Sequence, residues 1–278
     1  MNTSQPDIIN SYAKFIKYRS LWKQSGSVNL NSENWLSPTT IFLLSYLKNV
    51  ENANFTDVNI GNAKSYLDQM SLDPNWWKNG IPLSNLIRTG NTYIPFSKIP
   101  LQVQKFADLG TKIYNLISDY KPVGGTNAFK YLMSELIDNM YQHSEFNIAY
   151  TMCQVIRKKK YVEICFLDNG ISIPGNFERH EIDFKDDPTA IKMAVDGIST
   201  KGDYESGERG FGLQSTLNMY CEGAQAEAMV VSRNGIYYKN SKEYELYNLN
   251  ADQLFLGTII SIKFPIRSKD IEYIRYLS

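Results

Sequence analysis

The chain has 278 residues and a mass of 31.9 kDa, a length that fits two domains of ordinary size better than one. Hydrophobic residues make up 43% and charged residues 21%, a composition that excludes a disordered or fibrous chain. The 29 Lys and Arg residues balance the 29 Asp and Glu residues, so we expect no nucleic-acid or anionic membrane partner.

Cysteine usage and hydropathy bear on the compartment. The three cysteines lack CxxC spacing, so we expect reduced core residues rather than disulfides or zinc ligands. The apolar runs are far shorter than the roughly 18 residues of a membrane-spanning helix. The first residues also lack the basic and apolar segments of a signal peptide. These features predict a cytoplasmic protein.

The first hundred residues predict a small α/β domain. Apolar spacing indicates a helix over 4–24, and a short strand follows at 28–30. A second helix begins after Ser37 with Pro38 in its first turn. A further short strand and helix follow before residue 71, giving the alternating order of an α/β domain.

Glycine and proline residues crowd the stretch from 80 to 100, where long regular structure is not expected. We therefore predict a small domain over 1–100 and a second domain over 101–278. A helix from Leu101 to about Tyr120 could connect them.

The next predicted helix runs from Thr126, as its cap, to about His143. Its apolar residues form a single stripe that must pack on a sheet. Glu135 and Asn139 lie four residues apart and share one flank of that stripe. A carboxylate there can accept a proton from water, and an amide oxygen suits Mg²⁺. The alternative is a pair of polar residues on a solvated flank.

A strand is predicted over 161–167, with Val162 and Phe166 on one face. Asp168 continues that face, so its carboxylate points where apolar side chains point and needs a donor. A purine amine could be that donor, and Gly170 lets another group approach its backbone closely. The alternative is an ordinary Asp-Asn-Gly turn at the end of a strand.

A glycine-rich segment from Gly207 to Leu213 leads into a helix, an arrangement that can bind phosphate through free N–H groups. It is not a P-loop, because Leu213 and Gln214 stand where that motif has Lys and Ser or Thr. Farther on, Gly257 and Thr258 open an apolar strand.

These four segments, in this order, resemble the ATP-binding core of the GHKL superfamily, which includes gyrase, mismatch-repair ATPases, sensor histidine kinases and anti-sigma-factor kinases. The residues 135–139 match its asparagine box, and 168–174 match its first glycine box. The residues 207–213 match the second glycine box, and 257–258 match the closing threonine motif. The resemblance covers residues 105–265.

The resemblance implies a Bergerat fold, an α+β two-layer sandwich whose mixed sheet is covered by helices, with ATP and Mg²⁺ as ligands. Asn139 would coordinate Mg²⁺, and Glu135 would polarise the attacking water. Asp168 would accept the adenine amine with support from Thr258. The further residues expected at the nucleotide are Gly170, Lys201, Gly207, Gly210, Gly212 and Leu213. An ATP lid is expected over about 171–209, where Lys201 either reaches the terminal phosphate or is simply solvated.

The N-terminal segment over about 25–75 resembles the strand–turn–helix of STAS domains, the fold of anti-sigma-factor antagonists. Their Asp-Ser-Ser-Gly turn is replaced here by Ser-Pro-Thr-Thr at 37–40, without the acidic residue and the glycine. Thr39 or Thr40 as a phosphoacceptor is one hypothesis, and two threonines in a helical first turn is the other.

Together the resemblances predict an ATP-dependent regulatory switch, which in one version transfers phosphate to a Ser or Thr of a partner protein. The alternatives are a slow ATPase completed by a homodimer or an effector subunit, and a nucleotide-binding scaffold without turnover. Histidine autophosphorylation in cis is not expected, because His143 and His180 both lie inside the ATP domain. The chain ends at Ser278 without room for a transducer domain, so fast hydrolysis is not expected either.

Overall fold

The structure is a computed structural model. It describes residues 6–56, 62–71, 73–75, 78, 92–118, 124–198, 212–266 and 270–276.

Two sheets are present in the described residues. The first two strands pair in parallel: β1 (Ser27–Asn29) and β2 (Asn54–Thr56). The other strands are β3 (Tyr93–Lys98), β4 (Ala149–Ile156), β5 (Tyr161–Asp168), β6 (Glu227–Arg233), β7 (Gly235–Lys239), β8 (Tyr244–Asn248) and β9 (Phe255–Pro265). These seven form one antiparallel sheet in the order β3-β4-β5-β9-β6-β7-β8. The predicted mixed α/β class, of the α+β kind, is confirmed.

The α-helices of the described residues cover this sheet. They are α1 (Asp7–Ser25), α2 (Pro38–Asn49), α3 (Asn62–Met70), α4 (Ala107–Ser118), α5 (Thr126–His143), α6 (Ile173–Arg179), α7 (Asp187–Val195) and α8 (Gly212–Asn218). A π-helical turn, Met219–Gly223, extends α8. None of these helices is long and apolar enough to cross a membrane.

Helices lie against both faces of the seven-stranded sheet. We call the face covered by α4, α5, α7 and α8 the front face and the face covered by α1, α2 and α3 the back face. Successive side chains of a strand point to opposite faces. In β5, Ile164 and Phe166 therefore join the front core, whereas Cys165 and Leu167 join the back core. This double coverage explains why every residue of β5 is buried.

The helix boundaries follow from local chemistry. The side chain of Ser37 caps α2 by accepting a hydrogen bond from the Thr40 amide, and Pro38 occupies the first turn, as predicted. At α5 the prediction was one residue off, because Gly125 is the cap and Thr126 is the first helical residue. The apolar stripe of α5 is buried against the front face, as expected.

Strand β3 was not predicted, and it lies in the stretch expected to be irregular. Pro95 has no N–H to donate, and β3 tolerates it because β3 is an edge strand whose register with β4 shifts between Ile94 and Ser97. This strand precedes residue 101 yet belongs to the large sheet, and the N-terminal helices share a core with the same sheet. The boundary between 1–100 and 101–278 stays a prediction.

Candidate functional site

Asp168 is the last residue of β5 and projects from the front face, as its position in the strand predicts. It pairs with Ala149 of β4 on one side and with Thr258 of β9 on the other. Only 4% of Asp168 and 8% of Thr258 is exposed. The sheet thus holds a carboxylate and a hydroxyl side by side at the end of two central strands.

The Asp168 carboxylate is short of hydrogen-bond donors for a buried charge. Burial raises its pKa to about 7, and this effect outweighs the opposing hydrogen bonds of the Gly170 amide and the Ser144 side chain. The Gly170 amide donates to Oδ1 over 2.8 Å. A carboxylate of this kind favours a ligand that brings a further N–H donor.

Backbone contacts around Asp168 require glycine at position 257. Gly257 has a φ of +120°, and a Cβ there would lie 2.0 Å from the backbone oxygen of Asp168. The hydroxyl of Ser232, on β6, donates to the Gly257 oxygen over 2.9 Å and accepts from the Ile173 amide over 3.0 Å. Ser232 therefore fixes the segment after Asp168 to the neighbouring strands.

Glu135 and the start of α8 meet at a second part of the front face. A Cβ at Gly212 would lie 1.7 Å from Oε2 of Glu135, so only glycine lets the carboxylate sit there. The Tyr131 side chain hydrogen-bonds both Glu135 and Ser215, and burial raises the pKa of its phenol. Helix α5 and helix α8 are thereby joined at the predicted catalytic carboxylate.

Asn139 lies on α5 one turn after Glu135. It stands before Ser144, the residue whose side chain contacts Asp168. Its Nδ2 atom is buried and has no hydrogen-bond partner among the described residues. A buried amide N–H group without an acceptor is uncommon and fits a site that a ligand with an acceptor atom completes. The nine residue-to-residue steps from Glu135 to Ser144 span about 13.5 Å along the helix axis, so α5 links both parts of the site.

The donor set suits Mg²⁺ held partly by a nucleotide. No group of three or more His, Cys, Asp or Glu side chains within the described ranges could hold a metal alone. Mg²⁺ in nucleotide sites typically takes one or two protein ligands, together with phosphate oxygens and waters. The Asn139 amide, one turn from Glu135, is compatible with that pattern.

Part of the predicted site falls outside the described residues, namely Lys201, Gly207 and Gly210. Leu213 is described and packs against the front core. The described part of the predicted lid, 171–198, contains helices α6 and α7, which contribute buried Phe177 and Ile191. Their role as a lid stays a prediction.

A cleft of about 350 Å³ opens beside Gly170 and Gly257, and Arg179 and Arg233 belong to its walls. Both arginines form ion pairs. Arg233 forms a bidentate pair with Glu178, and Arg179 pairs with Glu145. Glu135, Asn139 and Gly212 are not among the described walls of this cleft. It therefore borders the Asp168 turn rather than containing the whole candidate site.

Three residues that position the site were not predicted from the sequence. Ser144, Ser232 and Tyr131 act through contacts with distant parts of the chain, and none belongs to a motif. Ser232 directly follows the apolar run 228–231 of β6, and this was the only available signal. Their partners become clear only in the folded chain.

The two candidate phosphoacceptors are buried. Thr39 is 0% and Thr40 is 1% exposed, and both lie in the first turn of α2. The Thr39 hydroxyl is hydrogen-bonded to Glu163 and to Ser261 on the back face. A kinase cannot reach either hydroxyl in this structure, which favours the structural interpretation of the two threonines.

In comparisons with known proteins, no protein-family model and no curated protein matches the sequence. The similarity to the GHKL superfamily therefore depends on the four motifs and their spacing.

Proposed function

We propose that the front face binds Mg-ATP and that the chain works as an ATP-dependent regulatory switch. The observation that carries the proposal is the buried Asp168 carboxylate at the end of β5, beside Thr258. Its described donors are the Gly170 amide, over 2.8 Å, and the Ser144 side chain. A purine with an exocyclic amine offers the missing donor.

Asp168 supports adenine recognition by its position and charge. An ionised carboxylate only accepts hydrogen bonds, so it favours the amine of adenine over the ring oxygen of guanine. A Cβ at Gly170 would lie 3.0 Å from Oδ1 of Asp168, so glycine leaves space beside this carboxylate. The neighbouring Thr258 hydroxyl can donate or accept and would complete the polar edge.

The flank of α5 that carries Glu135 and Asn139 supports a role at the phosphates. Asn139 would hold Mg²⁺, which shields the phosphate charges when it is bound. Glu135 would accept a proton from an attacking water, and its bond to Tyr131 would fix the direction of the carboxylate. The backbone at Gly212 passes directly against this carboxylate, at the start of a helix.

Nucleotide selectivity tests adenine recognition. We expect Mg-ATP to bind the wild-type chain at least about a hundredfold more tightly than GTP or inosine triphosphate, since neither carries the amine at that ring position. Isothermal titration calorimetry measures all three affinities. Equal affinity for ATP and inosine triphosphate would contradict the assignment of Asp168.

Turnover distinguishes the versions of the switch. A dimerising ATPase would release ADP at a rate that rises more than linearly with protein concentration. This ADP release should be lost in Glu135→Ala. Asp138→Asn removes a neighbouring carboxylate of the same helix and serves as the control. Transfer of label from γ-labelled ATP to a partner's Ser or Thr would favour the kinase, and binding without either reaction would favour the scaffold.

A further inference from the structure

A second polar cavity lies on the back face, away from the candidate nucleotide site. It measures about 200 Å³ and is bounded by the start of α1, the start of α2 and the central strands β5 and β9. We call it the back cavity. Its wall includes Ser11, Ser37, Thr40, Lys159, Glu163 and Lys263. Its size exceeds the roughly 30 Å³ share of one water and falls below the 300 Å³ of pockets for drug-sized ligands.

The carboxylate of Glu163 forms the innermost polar group of the back cavity. Only 2% of Glu163 is exposed. Its Oε1 accepts hydrogen bonds from the amide of Thr39, over 2.7 Å, and from the Thr39 hydroxyl. Both of these hydrogen bonds go to Oε1, so the described contacts of Glu163 leave Oε2 available. This atom is the acceptor left for a ligand that carries an N–H donor.

Three hydroxyl groups lie in the same cavity wall as that carboxylate. The Ser11 and Ser37 hydroxyls lie 2.6 Å apart, and the Ser37 hydroxyl lies 2.8 Å from that of Thr40. Hydroxyl groups both donate and accept hydrogen bonds, so these three can bind a ligand group of either charge. The wall is therefore built for a polar ligand rather than an apolar one.

Lysines line the outer part of the cavity. Lys159 lies over the Trp35 ring, 3.8 Å from its centre, and has no carboxylate partner among the described residues. Lys263 is 19% exposed in its side chain and pairs with Asp7 at 3.4 Å. These two ammonium groups can hold a carboxylate at the mouth while Glu163 holds a cation at the base.

We propose that the back cavity binds a small zwitterion of the α-amino-acid kind, with its ammonium group at Glu163 and its carboxylate at Lys159 and Lys263. Charges of both signs in one small cavity disfavour the simpler ligands. The Glu163 carboxylate would repel an inorganic anion, and the lysine ammonium groups would repel a bare cation or a diamine. This site does not depend on nucleotide binding.

The test uses the full chain and the twenty standard amino acids, each added at millimolar concentration in a thermal-shift screen and followed by calorimetry. We expect at least one amino acid to raise the melting temperature, because a ligand that binds only the folded state stabilises it. Its N-acetyl derivative lacks the ammonium group, its methyl ester lacks the carboxylate, and both should bind at least about tenfold more weakly.

Two variants test the residues. Glu163→Gln retains an acceptor for Thr39 and should weaken binding at least about tenfold. Lys159→Ala should weaken it as well, whereas the exposed neighbour Lys158, outside the cavity wall, gives a Lys158→Ala control with unchanged affinity. If Glu163→Gln does not fold, the proposal is tested by Lys159→Ala together with the N-acetyl and methyl ester derivatives.

Three outcomes would overturn the proposal: no amino acid binds the folded wild-type chain, the N-acetyl derivative binds as well as the free amino acid, or Lys159→Ala binds like Lys158→Ala. Inorganic phosphate and 1,4-diaminobutane are included in the screen. Binding of either one in preference to every amino acid would also exclude a zwitterion.

Discussion

Replacing Asp168 by Asn should make the folded chain more stable at neutral pH while weakening ATP binding. The amide is close in shape to the carboxyl group, and its oxygen can still accept from the Gly170 amide. What the substitution removes is a negative charge at a residue that is only 4% exposed. Burying that charge opposes folding, and under the proposed function the charge is retained because it binds the adenine amine.

The pKa of Asp168 sets the size of the effect, since burial raises it from an ordinary 3.8 to about 7. Because the folded state keeps this proton to a higher pH than the unfolded chain, the residue's contribution to stability is complete below about pH 4 and is lost between pH 4 and pH 7. At about 1.4 kcal/mol per pH unit, the full loss is about 4 kcal/mol. Asp168→Asn does not undergo this loss.

Urea unfolding at pH 5 and pH 8 measures the effect. The stability advantage of Asp168→Asn over the wild type should grow by roughly 2–3 kcal/mol between these two pH values. Asp252→Asn, at an exposed position, is the matched control and should show no comparable growth. An advantage that is equal at both pH values, or a variant less stable at pH 8, would refute the argument from the buried charge.

Three further perturbations follow from the same geometry. Adenosine, which carries no phosphate, should bind about tenfold more weakly at pH 6 than at pH 8, because protonated Asp168 loses part of its acceptor capacity; calorimetry that finds no pH dependence contradicts this. Gly212→Ala should lower ADP release at least about tenfold, since its Cβ would displace the Glu135 carboxylate; wild-type turnover contradicts it. Thr39→Val should destabilise the chain by about 1–3 kcal/mol in urea unfolding, because Glu163 and Ser261 lose a hydrogen-bond partner. Thr40→Val is the control with the smaller expected loss, and an equal loss in both variants would count against a special role of Thr39.

Periodicity was enough to predict the elements that carry the site. The apolar stripe of α5 fixed the flank on which Glu135 and Asn139 lie. The period of two in β5 placed Asp168 on the same face as Phe166, and the structure confirms this. Both are local signals that depend on few residues, so tertiary contacts did not override them.

The back face was not predictable in the same way. Glu163 alternates with apolar residues in β5 and so resembles a residue of a solvated face, yet it is 2% exposed. It is buried because Thr39, 124 residues earlier in the chain, donates two hydrogen bonds to it. A single sequence contains no signal for a contact of that separation.

The measurement that tests the central claim most directly is the affinity of Mg-ATP for the wild-type chain and for Asp168→Ala, by calorimetry on protein shown to be folded by circular dichroism. We predict that the wild-type chain binds Mg-ATP and that Asp168→Ala loses at least about a hundredfold in affinity, because the adenine amine loses its charged acceptor. Undiminished affinity in folded Asp168→Ala would contradict the account of the front face.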